Sequence, residues 1–294
     1  MANTLASPLS RKATLIKLSS SAWSGKKVDK KVTRETNERY HADDDAGEYR
    51  KRLVEKKALE RVGKAESAAR ALFEKYTKPW SRGMGILPNA LHAEFSNEWR
   101  KIQYEHDEAA DEFAALYSDH VDEMKAKLNG MYDQNDYPDP AVIRDRFALT
   151  VKPYPVPDVG DFRSDVLDEA TVADIKRELQ EASEEVLRDA LKDTVAQITK
   201  TVGHMAEKLR EYGKGKDGKK NFFTDTLVGN VRELAKLLPA FNLTNDPELA
   251  KISARISKEL TVEDAQALRD NEAARETVAK SAEDILKDVS VLFG

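Results

Sequence analysis

The sequence predicts a mostly α fold, an elongated bundle of long antiparallel coiled-coil-like helices, with a small β element pairing residues near 13–18 and 147–152. Three observations carry that prediction. Between Asn89 and Leu128, the residues Leu91, Phe95, Trp99, Ile102, His106, Ala109, Phe113, Leu116 and His120 recur every three or four positions, and Met124 and Leu128 continue the face. That is the period of a helix packed along one side over its whole length, about 60 Å at 1.5 Å per residue. The same step runs through Val54, Ala58, Val62, Ala65, Ala69, Leu72 and Tyr76. Finally, the run Phe147–Val151 is β-prone, and its one evident partner is Ala13–Leu18.

The N-terminal segment, residues 1–45, reads as a short strand closed by the Ser19–Ser21 cluster, then a short helix from about Lys27 to Tyr40. Residues 46–165 read as a helical hairpin plus an extended segment. Its first arm runs from Gly47 to about Lys78, where Pro79 disfavours helix at the residue before it. Gly83–Pro88 reads as a turn, and Pro88 opens the second arm. Asn129–Gly130 stops that arm, Pro140–Arg146 allows two helical turns, and Lys152–Pro157 must be extended, as polyproline II. Residues 166–294 form a C-terminal helical region. One long helix starts near Asp165 and ends near Tyr212, and its two apolar runs fall out of phase around Leu187–Leu191. Helices follow over Phe222–Leu238, from the Asn245-Asp246-Pro247-Glu248 start signal, and from Thr261 onward.

Composition narrows function more than it identifies it. The chain has 294 residues, 34% of them charged, a net charge of −5 and no cysteine. That excludes disulfides, thiolate zinc sites and cysteine nucleophiles, and it suits a reducing compartment; the expected location is the cytoplasm of a bacterial host cell. No apolar run approaches the roughly 20 residues of a membrane span, so no membrane partner is expected. The acid-free first 28 residues superficially suit a transit peptide, but Trp23-Ser24-Gly25 reads as structural. Charge is nonetheless uneven. Residues 1–40 hold nine Lys and Arg against three acids, whereas Glu105–Glu123 holds eight acids and no Lys or Arg.

No motif nominates a reaction. Gly213–Lys219 fits the spacing of a phosphate-cradling loop, but Lys220 stands where Ser or Thr must bind magnesium, and the loop follows a helix. Glu38-x-x-His41 is a single instance of a di-iron pattern that needs two. Asp133-x-Asn135 begins like a calcium loop, but Pro138 replaces the required glycine. No cofactor, metal or catalytic residue is expected, and the protein is read as a non-enzyme. The cations Lys26, Lys27, Lys30, Lys31 and Arg34, together with Lys214, Lys216, Lys219 and Lys220, are the candidate nucleic-acid contacts, since they lie near the stackable aromatics Trp23 and Tyr40 or in a mobile-looking loop. The plainer account is a solvated helix with Trp23 as a buried anchor.

Three groups of residues carry a resemblance. They are Ser20-x-x-Trp23-x-Gly25-x-Lys27-x-Asp29-Lys30-x-x-Thr33, the Gly85–Pro88 turn between long helices, and Phe147–Pro157 followed by Asp161-Phe162-Arg163. In these the chain resembles an uncharacterised family of bacteriophage and prophage accessory proteins. Their genes tend to lie near those for a MoxR-type AAA+ ATPase and a von Willebrand A-domain protein. The resemblance implies an adaptor or scaffold, with a protein partner or self-association expected and an AAA+ ATPase as one such partner. Trp23, Gly25, Phe162 and Arg163 are expected to be structural anchors. The alternative is a nucleic-acid-binding protein of phage DNA replication, recombination or protection.

Overall fold

The computed structural model describes residues 9–81, 83–157, 166–214 and 221–293. The chain is mostly α, and its contacts divide it into two compact units. Unit 1 comprises Met1–Lys17, Tyr76–Ala93 and Pro153–Gly294; unit 2 comprises Leu18–Lys75 and Glu94–Lys152. The segments 1–45, 46–165 and 166–294 do not coincide with these units, because strands β1 (Ala13–Ser21) and β6 (Ala148–Tyr154) each run from one into the other.

Unit 1 is built on the helix α6 (Glu169–Glu211), 43 residues in one uninterrupted element. Asp168 caps it, accepting from the Thr171 N–H at 2.8 Å, and Lys208 and Arg210 sit in its last turn, where cations complement the helix dipole. The phase slip near Leu187–Leu191 does not break it. Instead, the burial face changes there. From Ala190 onward Thr194, Ile198, Val202, Met205 and Leu209 are buried, the last four in a core shared with α7 (Thr226–Phe241), α8 (Pro247–Glu259), α10 (Glu272–Phe293) and the residues Ala265 and Leu268. The buried Thr194 hydroxyl is satisfied by the Ala190 carbonyl at 2.8 Å. Asp246 caps α8 by accepting from the Glu248 and Leu249 N–H groups, with Pro247 opening the helix. The helix expected from Thr261 is two elements, α9 (Ala265–Asp270), capped by Asp264, and α10.

Two strands replace the turn expected at Gly83–Pro88. They are β4 (Lys78–Ser81) and β5 (Met84–Pro88), a hairpin turning at Gly83 with φ +80°. β5 pairs antiparallel with β1 from Ala13↔Pro88 to Lys17↔Met84, and the sheet order is β4-β5-β1-β6. The strands near 13–18 and 147–152 are therefore neighbours, but in a four-stranded sheet rather than an isolated pair.

Unit 2 holds α3 (Glu60–Tyr76), α4 (His92–Ala115) and α5 (Tyr117–Leu128). Arg61 bonds Glu112, and Lys75 meets Glu98 at 3.3 Å. Position numbers rise on α3 as they fall on α4, the antiparallel order of a hairpin. The first arm begins at Glu60, not Gly47, because Arg50–Arg52 is spent as strand β3, paired with β2 (Lys26–Val28). The second arm is not one helix. Residues 89–91 form a 3-10 turn, and Leu116 leaves helical geometry at φ −96°, ψ 6°, although the bonds from Leu116 N–H to Glu112 and from His120 N–H to Leu116 persist. Consequently Leu116, on the expected apolar stripe, is exposed. Phe113, Tyr117, Ile143 and Phe147 form the core with Leu53, Val54 and Val62, and Trp23 packs on it edge-to-face with Tyr117 at 5.8 Å.

Candidate functional site

The most distinctive chemistry in unit 2 lies on the β2–β3 ribbon. Its register sets Lys26 opposite Arg52, Lys27 opposite Lys51 and Val28 opposite Arg50. Opposed residues share a face and successive residues alternate faces, so cations confront cations on both sides of the ribbon. Like charges directly opposite are destabilising.

On one face that repulsion is offset. Lys51 is 5% exposed, and its Nζ lies 2.6 Å from Asp136 Oδ2 and 3.2 Å from Asp29 Oδ2 while donating to the Met131 carbonyl at 2.7 Å. Lys27 takes the other oxygen of Asp136 at 2.8 Å. Asp29 serves twice, since it also caps α2 (Lys30–Arg39) by accepting from the Val32 N–H at 3.1 Å. The hollow on this side, about 770 Å³, is balanced in charge: Asp29, Glu35, Asp133 and Asp136 stand among Lys27, Lys30, Lys31 and Lys51.

These contacts move the acids in one direction. The Val32 N–H, helped by Lys51 against the effect of burial, holds Asp29 below its ordinary value. Burial pushes Asp136 up, but Lys27 and Lys51 together outweigh it and leave it lowered. Burial likewise pulls Lys51 down, and the two carboxylates more than reverse that. Carboxylates depressed on folding contribute stability that is present above the unfolded value, near 4, and lost as pH falls through the folded values. Acid titration of unit 2 should therefore show a loss of stability beginning below about pH 4, and Asp136→Asn should flatten it. An equally steep acid transition in that variant contradicts the assignment.

The other face is not balanced. Lys26 and Arg52 line a cavity of about 680 Å³ with Lys56, over a floor that includes Gly25, Val54, Leu59 and Gly63. The two carboxylates in the lining are already engaged, Glu55 with Lys127 and Glu60 with Lys64 at 2.8 Å. No ion pair reaches Lys26, Arg52 or Lys56 among the described residues. Gly25 sits at φ +63°, and a Cβ there would stand 2.8 Å from Val54 and 2.9 Å from Leu59.

The structure scatters the remaining candidate cations. Lys31 pairs with Glu35 and Arg34 with Glu38 along α2, at 4.0 and 3.8 Å, and Lys30 is exposed. Lys214 closes a backbone turn with Asn221. Lys216, Lys219, Lys220, Phe162 and Arg163 lie outside the described residues. Half of the eight acids in the stretch 105–123 are spent on ion pairs inside the unit, with Asp107 and Asp111 holding Arg144, Glu112 holding Arg61, and Glu123 holding Lys127. His106 is buried with Nδ1 3.3 Å from Asp107 and no partner for Nε2, while His120 stacks on Phe113 at 5.6 Å. Among the described residues no group of three or more His, Cys, Asp or Glu could hold a metal ion, and no helix is long and apolar enough to cross a membrane.

Two features escaped sequence reasoning in unit 1. Lys78 is 2% exposed, with its Nζ 2.8 Å from both Asp193 and Gln197 and 4.3 Å from the Phe241 ring centre. Burial pushes its amine down and Asp193 opposes that; the satisfied geometry is that of a clamp joining β4 to α6 and α7. The second feature is the start of α6. No residue from Glu169 to Asp189 is buried, yet Val172, Ile175 and Leu179 lie on one half-covered stripe, and Val166 just before it is 93% exposed. Acids flank the stripe at Asp174, Glu178, Glu181, Glu184 and Glu185, against Lys176 and Arg177. No family model, curated protein or solved structure matches the chain.

Proposed function

We propose that the protein is a non-enzymatic adaptor or scaffold of the phage accessory type, and that the first part of α6 is its docking element. The observation that supports this is a helix whose C-terminal part is buried in a core while Glu169–Glu185, about 25 Å of it, buries nothing fully and still carries an apolar stripe. A stripe of that kind on a charged helix is the usual form of a helix-in-groove or helix-on-helix contact. Its acidic flanks suit a helical partner segment with basic flanks, such as one presented by an AAA+ ATPase assembly. The nucleic-acid reading is weaker, because Lys27, Lys31 and Arg34 already face carboxylates of their own unit.

The test is co-purification from host cells with the wild-type chain and with Ile175→Glu/Leu179→Glu. The double variant should lower recovery of the co-eluting protein by about tenfold or more, the effect of losing one well-packed anchor. Because Ile175 and Leu179 are half-covered, its own stability should fall by no more than about 1–2 kcal/mol. Sedimentation velocity on both forms shows whether the lost partner is a second copy. Equal recovery with both forms removes this reading.

A further inference from the structure

We propose that the cavity beside Lys26 and Arg52 binds the phosphoryl groups of a nucleotide-sized small molecule. The ribbon's two faces differ in how their charge is met. Both set cation against cation, and on the Lys27/Lys51 face Asp29 and Asp136 supply the missing negative charge. On the Lys26/Arg52 face no carboxylate is bonded to either cation among the described residues; Glu55, held by Lys127, acts on Arg52 only through space. Opposed cations with no carboxylate bonded to them cost stability, and a bound anion would convert that cost into affinity.

The residue types narrow the anion. A guanidinium presents a planar fork that matches two phosphate oxygens at once, and the lysines add point charges from the sides. Carboxylates in the lining are held by Lys127 and Lys64, so they do not neutralise the fork directly. A volume of about 680 Å³ lies within the range of small-molecule sites, and Val54 and Leu59 give it an apolar wall for the body of the ligand. Gly63 leaves room on the helix side, since a Cβ built there would meet nothing within 4 Å. The inference does not depend on the adaptor role of α6, which belongs to the other unit.

The experiment uses the full chain with pyrophosphate, ATP and a short single-stranded oligothymidylate as probes, read by calorimetry and by thermal shift. ATP or pyrophosphate should bind and raise the melting temperature of the wild type. Arg52→Thr should weaken binding by about tenfold or more, the value of one charge-assisted contact, and should also raise the melting temperature of the ligand-free protein. Gly63→Leu keeps every charge but puts a four-carbon side chain into the open space on the helix side, so it should weaken ATP binding without loss of stability. Lys30→Ser, on the exposed side of α2, should leave affinity unchanged. Failure of both small probes to bind at millimolar concentration overturns the proposal, as does wild-type affinity in Arg52→Thr and Gly63→Leu. Binding of the oligonucleotide alone overturns the small-molecule assignment and moves the phosphate source to a nucleic-acid backbone.

Discussion

Lys51→Ala is expected to destabilise unit 2 by about 3–5 kcal/mol, the cost of removing one partner from a buried ion pair. Its ammonium stands between two carboxylates and a carbonyl at 2.6 to 3.2 Å, and it is almost wholly removed from solvent. Without it Asp136 keeps only Lys27, whose side chain is 48% exposed, and Asp29 keeps only the N–H groups at the start of α2. A neutral replacement for both charges should be far milder. Lys51→Met with Asp136→Asn is expected to recover at least half of the loss, because it removes one of the two carboxylates left facing each other where the ammonium stood. Hydrogen exchange across Leu18–Lys75 and Glu94–Lys152 reads unit 2 separately from the rest. A loss below about 1 kcal/mol in Lys51→Ala, within the range of an exposed pair, contradicts the network.

Gly25→Ala should cost about 2–5 kcal/mol, from two additive sources. A left-handed backbone at φ +63° carries about 1–2 kcal/mol for a residue with a Cβ, and forcing a methyl into a packed site adds about 1–3. The methyl would meet Val54 and Leu59 at 2.8 and 2.9 Å, and Val54 belongs to the core. Gly83 is the internal control. Its φ is +80°, but nothing lies within 4 Å of a Cβ there, so Gly83→Ala should show the backbone cost alone. Equal losses in the two variants, measured by urea unfolding, contradict the packing part of the argument.

Helical periodicity was a dependable guide where a helix buries one continuous face, and misleading where it changes partners. α6 was legible from its apolar steps, although it is capped by Asp168 and not near Asp165, and the phase slip in its middle marks a change of packing partner and not a break. The stripe 91–128 was legible as helix, but the departure at Leu116 is a backbone event that a three-four pattern does not encode. Val54 and Ala58 fitted the α3 stripe by coincidence: Val54 is buried from a non-helical stretch next to β3. The strands around Gly83 were hidden because their pairing partner, Ala13–Lys17, lies some 70 positions away. The ribbon too pairs residues that are not sequence neighbours. Lys26 and Lys27 were conspicuous in the sequence, but only the register with Arg50–Arg52 shows which is compensated and which faces an empty cavity. Lys51 and Lys78 gave no signal at all, since a buried lysine is recognisable only from carboxylates brought to it by the fold.

The interleaving of the two units sets an order of events during synthesis. Every residue of unit 2 has been translated by Lys152, whereas unit 1 needs its first strand, the Tyr76–Ala93 hairpin and the helices up to α10. A chain emerging vectorially from the ribosome can complete unit 2 while unit 1 still lacks most of its core. Ala13–Lys17 and Met84–Pro88 must then wait, already paired or shielded by a chaperone, for the last hundred and forty or so residues to close over them.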